Sequence, residues 1–255
     1  MGDRATEHAG SARPEQPAPG CCPIVELRQY TLHPGQRDVL IDLFDREFVE
    51  SQEAVGMEVI GQFRDLDDPN RFIWLRGFRD MPARAEALTA FYDGPVWAAH
   101  RDAANATMID SDNVLLLRPA RPASGFSLDG SDRPPPGAKE APQGLVVATI
   151  YYLDAPADAD FVDLFERELM PVMTETGAAM LASFVTESST NTFPRLPVRE
   201  GEQVVVWLSR FADGAAHEQS LAVLRRGGFS EIVARRLRGT EVRKLLPTAR
   251  SKLHG

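Results

Sequence analysis

The sequence predicts an α+β fold: two ferredoxin-like units of order β-α-β-β-α-β, packed sheet to sheet as one intramolecular α/β barrel. The main observation is that the chain resembles itself. IDLFDREF at 41–48 matches VDLFEREL at 162–169, and IWLRGFRD at 73–80 matches VWLSRFAD at 206–213. Both copies also show the same succession of alternating and helix-periodic segments. A four-stranded sheet with helices on one face leaves the other face bare, and a second copy can cover it.

Hydrophobic periodicity places the elements of the first copy in order. IVELRQYTL alternates as a strand does, whereas PGQRDVLIDLFDREFVESQEA has apolar residues at helical spacing. The turn composition DDPN joins the next two strands, and Pro82 and Pro95 suit the first turns of two helices. We predict strands at 24–32, 57–66, 71–78 and 113–119, and helices at 34–54, 81–92 and 94–108.

Composition and offsets set the predicted boundaries. The offset between the copies is 121 residues at first and 133 later, because TNTFPRLPVREG lengthens a hairpin loop of the second copy. Segments rich in Ala, Gly, Pro and charge predict disorder or an extended linker. We therefore predict a disordered N-terminus at 1–22, a first unit at 23–120, a Pro/Gly-rich linker at 121–143 and a diverged second unit at 144–250.

Charge and composition exclude several classes of partner. A net charge of −9 over 255 residues, with scattered basic residues, does not suit a nucleic-acid partner. No apolar run is long enough for a membrane span, and the N-terminus lacks the apolar core of a secretory signal. Cys21 and Cys22 are adjacent, and neighbours rarely bridge each other, so we expect reduced thiols and a cytoplasmic protein. No metal-ligand spacing, phosphate loop or nucleophile elbow is present.

Three stretches resemble the NIPSNAP family: VELRQYTLHPGQ, GFRD and GPVWAAHRDAANATMIDSDNVLLLRP. The resemblance is strong over 24–120, and the second copy shares the layout more than the polar detail. It implies the dimeric α/β-barrel superfamily, which includes antibiotic-biosynthesis and haem-degrading monooxygenases. The resemblance therefore implies a pseudo-dimer within one chain, but it implies no single reaction.

The first strand carries the first group of candidate site residues. Glu26, Arg28 and Tyr30 share one face of that strand. In the second copy, Val147 and Thr149 stand at the positions that align with Glu26 and Arg28. One interpretation is a Glu–Arg pair that neutralises itself. The other is a pocket between sheet and helices, in which Glu26 contacts the substrate while Arg28 and Tyr30 stabilise negative charge.

The predicted helix VWAAHRDAAN carries the second group. His100 is either a satisfied core residue, a general base or, as haem-using relatives suggest, an axial haem ligand; its counterpart is Val233. Trp97, Arg101 and Asn105 are predicted to bind substrate. Alternatively, Trp97 covers the barrel end, Arg101 forms a surface ion pair and Asn105 caps the helix. Trp74 has its counterpart in Trp207, which favours a core role, although it is also predicted to contact substrate.

These observations predict a small-molecule-binding protein with its pocket in the first unit. The leading hypothesis is a cofactor-independent enzyme of specialised metabolism, an oxygenase, isomerase or lyase, in which His100 moves a proton. The alternatives are a haem-binding protein and a non-catalytic interaction module. We expect no resident cofactor in the leading case, and further association of the pseudo-dimers remains possible.

Overall fold

Eight antiparallel strands close a barrel in the computed structural model of the chain, which describes residues 21–128 and 132–254. The predicted disorder of the N-terminus falls almost wholly on residues outside those ranges. A ninth, short strand extends the edge of the first one. The strands are β1 (Ile24–Leu32), β2 (Glu58–Asp65), β3 (Arg71–Phe78), β4 (Met108–Asp110), β5 (Val114–Pro119), β6 (Leu145–Leu153), β7 (Ala179–Thr186), β8 (Gln203–Phe211) and β9 (Leu237–Pro247).

The strand order confirms the predicted fold class. The first half pairs as β5-β1-β3-β2 and the second as β9-β6-β8-β7, which is the same order twice. The two arrays join edge to edge, β2 to β9 at Phe63↔Pro247 and β5 to β7 at Leu117↔Thr186. No free sheet edge then remains in the barrel formed by the described residues, which removes a route to aggregation.

The hairpins of the two halves have the same register. Glu26 lies opposite Arg76 in the first, and Val147 lies opposite Ser209 in the second. These pairs are related by the same two offsets that align the sequence copies. Residues at equivalent positions of the two halves can therefore be compared, and a difference between them is not required by the shared fold. Origin by tandem duplication stays a hypothesis.

Helices cover the outer faces of both arrays. The predicted helix at 34–54 is an α-helix interrupted by a π-helical turn, and such turns recur at functional sites. The helices are α1 (Arg37–Leu43), the π turn (Phe44–Phe48), α2 (Val49–Glu53), α3 (Met81–Tyr92), α4 (Pro95–Asn105), α5 (Ala159–Thr176), α6 (Gly214–Gly227) and α7 (Glu231–Arg236).

One predicted helix is shorter than expected. The pattern predicts helix up to residue 108, but α4 ends at Asn105 and Met108 begins β4 opposite Leu32. The Thr107 hydroxyl donates to the carbonyl oxygen of Ala104 at 2.6 Å and closes the last turn. The chain then returns to the sheet, so Met108 pairs with β1 instead of continuing the helix.

The hydrophobic core has separate layers. The barrel interior combines apolar side chains from both halves, among them Leu27, Phe63, Ile150 and Phe184. A second layer lies between the outer face of the first array and its helices, and a third between the second array and its own helices. Any site between sheet and helices therefore belongs to one unit, outside the barrel interior.

The segments around the predicted linker are packed against the barrel. Residues 121–128 and 132–143 contain no helix or strand, but Phe126 is buried with its ring 5.1 Å from that of Phe184. Arg133 donates to the carbonyl oxygen of Arg250 at 2.7 Å.

The expectation of reduced thiols is contradicted, because Cys21 and Cys22 are joined as a disulfide. Among the residues described, none of the helices has the length and apolar character needed to cross a membrane.

Candidate functional site

Strand β1 divides its side chains between two environments. Val25 and Leu27 point into the barrel, whereas Glu26, Arg28 and Tyr30 point towards the helices. All three of the latter are buried, with 0% of Glu26 and 1% of Arg28 exposed. The alternation of a β-strand produces this division, and it confirms that the three residues share one face.

Glu26 is the centre of a buried ion cluster. Its Oε2 accepts hydrogen bonds from Arg28 Nη1 at 2.7 Å and from Arg76 Nε at 2.8 Å. Its Oε1 accepts a bond from Arg84 Nε at 2.7 Å. We call these four residues the Glu26 cluster. It joins β1, β3 and α3 beneath the helical layer.

The cluster carries an excess of positive charge. One carboxylate faces three guanidinium groups, each no more than 1% exposed. Burial alone would raise the pKa of Glu26, but the charges of Arg76, Arg28 and Arg84 outweigh it and hold that pKa well below its usual range. The pKa of Arg84 is lowered, because burial and repulsion by Arg76 and Arg28 outweigh the attraction of Glu26. Glu26 is therefore ionised, and its carboxylate does not fully offset the burial and repulsion that act on Arg84.

Two guanidinium nitrogens of the cluster lack a partner within the part of the chain that the structure describes. Nη2 of Arg76 and Nη2 of Arg84 are buried there without a hydrogen-bond acceptor. Arg76 Nη1 donates to Gln52 Oε1 at 3.0 Å, and its guanidinium lies over the Trp74 ring at 5.0 Å. Unpaired donors on buried charges are costly, so their retention requires an explanation.

A small cavity lies next to the cluster, between the sheet and the helices of the first unit. Its volume is about 30 Å³, which is space for about one water molecule. The lining is aromatic except for Gln52, Leu40 and Met108. The aromatic lining residues are Tyr30, Phe44, Phe48, Trp74, Phe91, Tyr92 and Trp97. The π turn contributes both Phe44 and Phe48, and an organic ligand would have to displace part of this wall.

Tyr30 connects the cavity to the cluster. Its hydroxyl oxygen accepts a hydrogen bond from Arg28 Nε at 2.9 Å, and its ring stands edge-on to Trp74 at 6.0 Å. Burial raises the pKa of Tyr30, partly offset by Arg28, so the phenol stays neutral and retains its proton. A neutral hydroxyl polarised by a buried cation is a strong hydrogen-bond donor.

The structure brings five of the predicted site residues together and separates three. Glu26, Arg28, Tyr30, Trp74 and Trp97 belong to the cluster or the cavity wall. His100 does not line the cavity: its side chain is 32% exposed, and its Nε2 lies 3.4 Å from Glu47 Oε2. Its ring stands edge-on to that of Phe48, with 6.4 Å between ring centroids.

Arg101 and Asn105 are exposed on α4 and outside the site. Arg101 pairs with Asp102 at 3.4 Å and is 59% exposed, which corresponds to the surface-pair alternative. The reason is helical geometry: the inward stripe of α4 runs through Trp97 and Ala104, and at 100° per residue the two polar side chains fall beside it.

The sequence interpretation missed Arg76, Arg84 and Gln52. A signal for two of them was present, because the offset of 133 gives Ser209 and His217 as their counterparts. The equivalent cavity of the second unit, also about 30 Å³, is lined by Val147, Thr149, Ser209 and His217, with no cation at any of these positions. The fold therefore does not require the buried charges of the first unit.

Residues 25–123 match the NIPSNAP family model. Comparison with curated protein sequences gives no significant match. The fold is similar to that of a "putative monooxygenase" from Lactobacillus acidophilus NCFM, with a TM-score of 0.52 and 16% identity over 89% of this chain and 94% of that one. A "putative monooxygenase" from Fusobacterium nucleatum also gives a TM-score of 0.52, at 9% identity over 91% and 94% of the two chains.

A third structure extends the likeness to another enzyme class. The encapsulated DyP-type peroxidase from Mycobacterium smegmatis gives a TM-score of 0.50 at 12% identity, over 92% of this chain and 97% of that one. At such identities the likenesses show the fold alone. Together with the strand order, they support a closed antiparallel α/β barrel built from two ferredoxin-like arrays. The NIPSNAP match is confined to residues 25–123, which contain the first unit of the barrel and its candidate site.

Proposed function

We propose that the first unit binds a small organic molecule in the aromatic cavity and promotes a cofactor-independent reaction in which negative charge develops on a substrate oxygen. The observation that carries this proposal is the Tyr30 hydroxyl. Tyr30 lines the cavity, and its hydroxyl oxygen accepts a hydrogen bond from buried Arg28, which leaves the hydroxyl proton available to a ligand. The aromatic wall suits a flat, conjugated substrate.

The chemistry follows from the electrostatics around Tyr30. A carbonyl oxygen that becomes an enolate, or a phenol that ionises, gains charge at the oxygen facing this hydroxyl. The hydroxyl and the excess positive charge of the Glu26 cluster stabilise that charge in a dry site, where such interactions are strong. Oxygenases, isomerases and lyases that work without a cofactor share such a step, which matches the predicted reaction classes.

His100 receives a secondary place in this proposal. Its imidazole lies next to Phe48 and Glu47, and His100 is not among the residues that line the cavity. Haem ligation by His100 also stays a prediction, because the imidazole lies next to Glu47 and His100 is not among the residues that line the cavity. We therefore derive no step through haem, and proton transfer by His100 stays a prediction that His100→Ala will test.

A non-catalytic ligand-binding module is the second candidate. The observation that favours it is the cavity lining, which among the described residues contains aromatic and aliphatic side chains, Gln52 and two tyrosines but no carboxylate or imidazole. Such a wall binds a ligand and holds its charge but does not itself remove a proton. Ligand binding without turnover would favour this candidate over the enzyme.

The first experiment measures stabilisation of an oxyanion. Para-nitrophenol is titrated into the full chain at a pH where it is mostly neutral, and the phenolate absorption is followed. We expect binding to increase the phenolate fraction. Tyr30→Phe should weaken phenolate binding about tenfold or more, because one oriented donor is lost. The matched control is Tyr151→Phe, because Tyr151 is the counterpart of Tyr30 by the offset of 121 and lines the cavity of the second unit. Equal effects of the two substitutions would contradict the proposal.

A further inference from the structure

Arg84 of the Glu26 cluster lies beneath a loop from the other unit. Residues 190–201, the longer hairpin loop of the second copy, cross to the first unit; we call them the insertion loop. Phe193 in this loop is buried and stacks on Tyr92 with 5.8 Å between ring centroids. Arg195 Nη1 lies 2.8 Å from Asp93 Oδ1. The second unit therefore covers the site of the first.

The insertion loop also supplies the outer partners of Arg84. Arg84 Nη1 donates to Asn191 Oδ1 at 3.0 Å and to Thr192 Oγ1 at 3.2 Å. Both acceptors are neutral, although Arg84 and Arg76 carry uncompensated charge. Asn191 and Thr192 are half-buried and exposed, respectively, so this end of Arg84 lies close to solvent. A neutral amide satisfies one hydrogen bond and leaves the charge in place.

We propose that Arg84 and Arg76 form a subsite for a carboxylate group of the ligand, and that the insertion loop occupies this subsite until the carboxylate displaces Asn191. The inference rests on the proposed function and names the substrate class as an aromatic or conjugated carboxylic acid. The Nε of Arg84 is held by Glu26, so its Nη1 and Nη2 present the fork that matches the two oxygens of a planar carboxylate. Arg76 Nη2 supplies a further donor on a neighbouring cation.

The asymmetry of the two units supports the subsite independently. In the second unit Ser209 and His217 replace the two arginines, and the hairpin turn that would cover its cavity is the short DDPN of the first copy. The arginines and the long covering loop therefore occur together at the first unit. Among the described residues, the second unit has neither at the equivalent positions. A structural ion cluster would need no cover from the partner unit.

The test uses fluorescence of the cavity tryptophans in the full chain. Trp207→Phe removes the one tryptophan of the second unit and serves as background, leaving Trp74 and Trp97 on the cavity wall. Benzoate, benzamide and inorganic phosphate are titrated separately. We expect benzoate to bind more tightly than benzamide, which has the same shape without the charge. Phosphate binding in preference to benzoate would overturn the assignment to a carboxylate.

Substitutions at the subsite separate recognition from folding. Arg84→Gln should weaken benzoate binding about tenfold or more, and should weaken para-nitrophenol binding less, because the phenolate loses one nearby cation but no direct hydrogen-bond donor. Arg84→Lys keeps the charge without the fork and should give an intermediate loss, which keeps the test valid if Arg84→Gln does not fold. Asn191→Ala removes the competing acceptor and should strengthen benzoate binding several-fold. The matched control is His217→Gln, which should change neither ligand.

The outcomes distinguish the subsite from the proposed function. If para-nitrophenol binds and responds to Tyr30→Phe while benzoate does not bind, the carboxylate subsite is wrong and the proposed function stands. If neither probe binds, both are wrong. If benzoate binds equally to the parent protein and to Arg84→Gln, the arginines are structural and the subsite is again wrong.

Discussion

Arg84 and His217 occupy the same position in the two units of the barrel. Each lies four residues after an aspartate whose side chain caps the helix: Asp80 accepts from the amide of Ala83, and Asp213 accepts from that of Ala216. The scaffold is thus shared by the halves while the chemistry differs. His217 is buried with an Nδ1 that is unpaired among the described residues, and burial lowers its pKa, so the second unit holds a neutral group where the first holds a cation.

Removing the charge of Glu26 should destabilise the protein strongly. Glu26→Gln leaves three buried guanidinium groups with a neutral acceptor in place of the carboxylate. The loss of one partner from a buried ion cluster costs about 3–5 kcal/mol. Urea unfolding followed by circular dichroism at neutral pH measures the change in the free energy of unfolding. The control is Glu47→Gln, which removes a partly exposed carboxylate. If both substitutions lower the free energy of unfolding by a similar small amount, the cluster contributes little to stability.

Replacing the whole cluster should be milder than removing its centre. The variant combines Glu26→Val, Arg28→Thr, Arg76→Ser and Arg84→His, which are the residues of the second unit at these positions. No uncompensated buried charge of the cluster remains, and neutral replacements of complete buried ion networks are often tolerated. We expect a smaller loss of stability in urea than for Glu26→Gln alone, together with loss of benzoate binding. A larger loss would mean that the charges hold the first unit together.

The sequence could predict the fold and the face of β1, because periodicity and self-similarity determine both. Comparing the copies identified Glu26 and Arg28, and the same comparison extended to β3 and α3 would have found Arg76 and Arg84. The contact of Asn191 with Arg84 could not be predicted from the sequence. The two residues are 107 positions apart, and only closure of the barrel brings them together.

His100 shows a second kind of limit. Its helical spacing correctly indicates the inner side of α4, but spacing does not give the depth of a helix. Ala104 is the buried residue of helix α4, and His100 reaches only the ring of Phe48, with 6.4 Å between ring centroids. The disulfide between Cys21 and Cys22 likewise depends on local backbone geometry that composition does not contain.

Trp97 should control entry to the cavity. Its ring packs on Phe48 at 5.7 Å and on Tyr92 at 4.9 Å, and these three rings close the wall. Trp97→Ala enlarges the cavity and should destabilise the protein by about 2–4 kcal/mol. We also expect faster association of para-nitrophenol in stopped-flow absorbance measurements. Trp207→Phe, in the second unit, is the control, and an unchanged association rate in Trp97→Ala would place the entrance elsewhere.

Asp45 should make stability depend on pH. It lies in the π turn with its Oδ1 buried and unpaired among the described residues, and burial raises its pKa from 3.8 to about 6 in spite of Arg250 and Arg64. Because the folded pKa exceeds the unfolded one, the folded state binds the proton more tightly. The resulting stabilisation is fully present below about pH 4 and is lost as pH rises through about 6.

Asp45→Asn should abolish this dependence, because an amide does not ionise. Relative to the parent protein we expect a gain of about 1–3 kcal/mol above pH 6, after allowance for partial exposure, and no gain near pH 4. Urea unfolding at several pH values measures the difference, and the acid end serves as the internal control. A gain that is the same at every pH would show that the introduced amide improves packing or hydrogen bonding, and that ionisation of the buried carboxyl is not the cause.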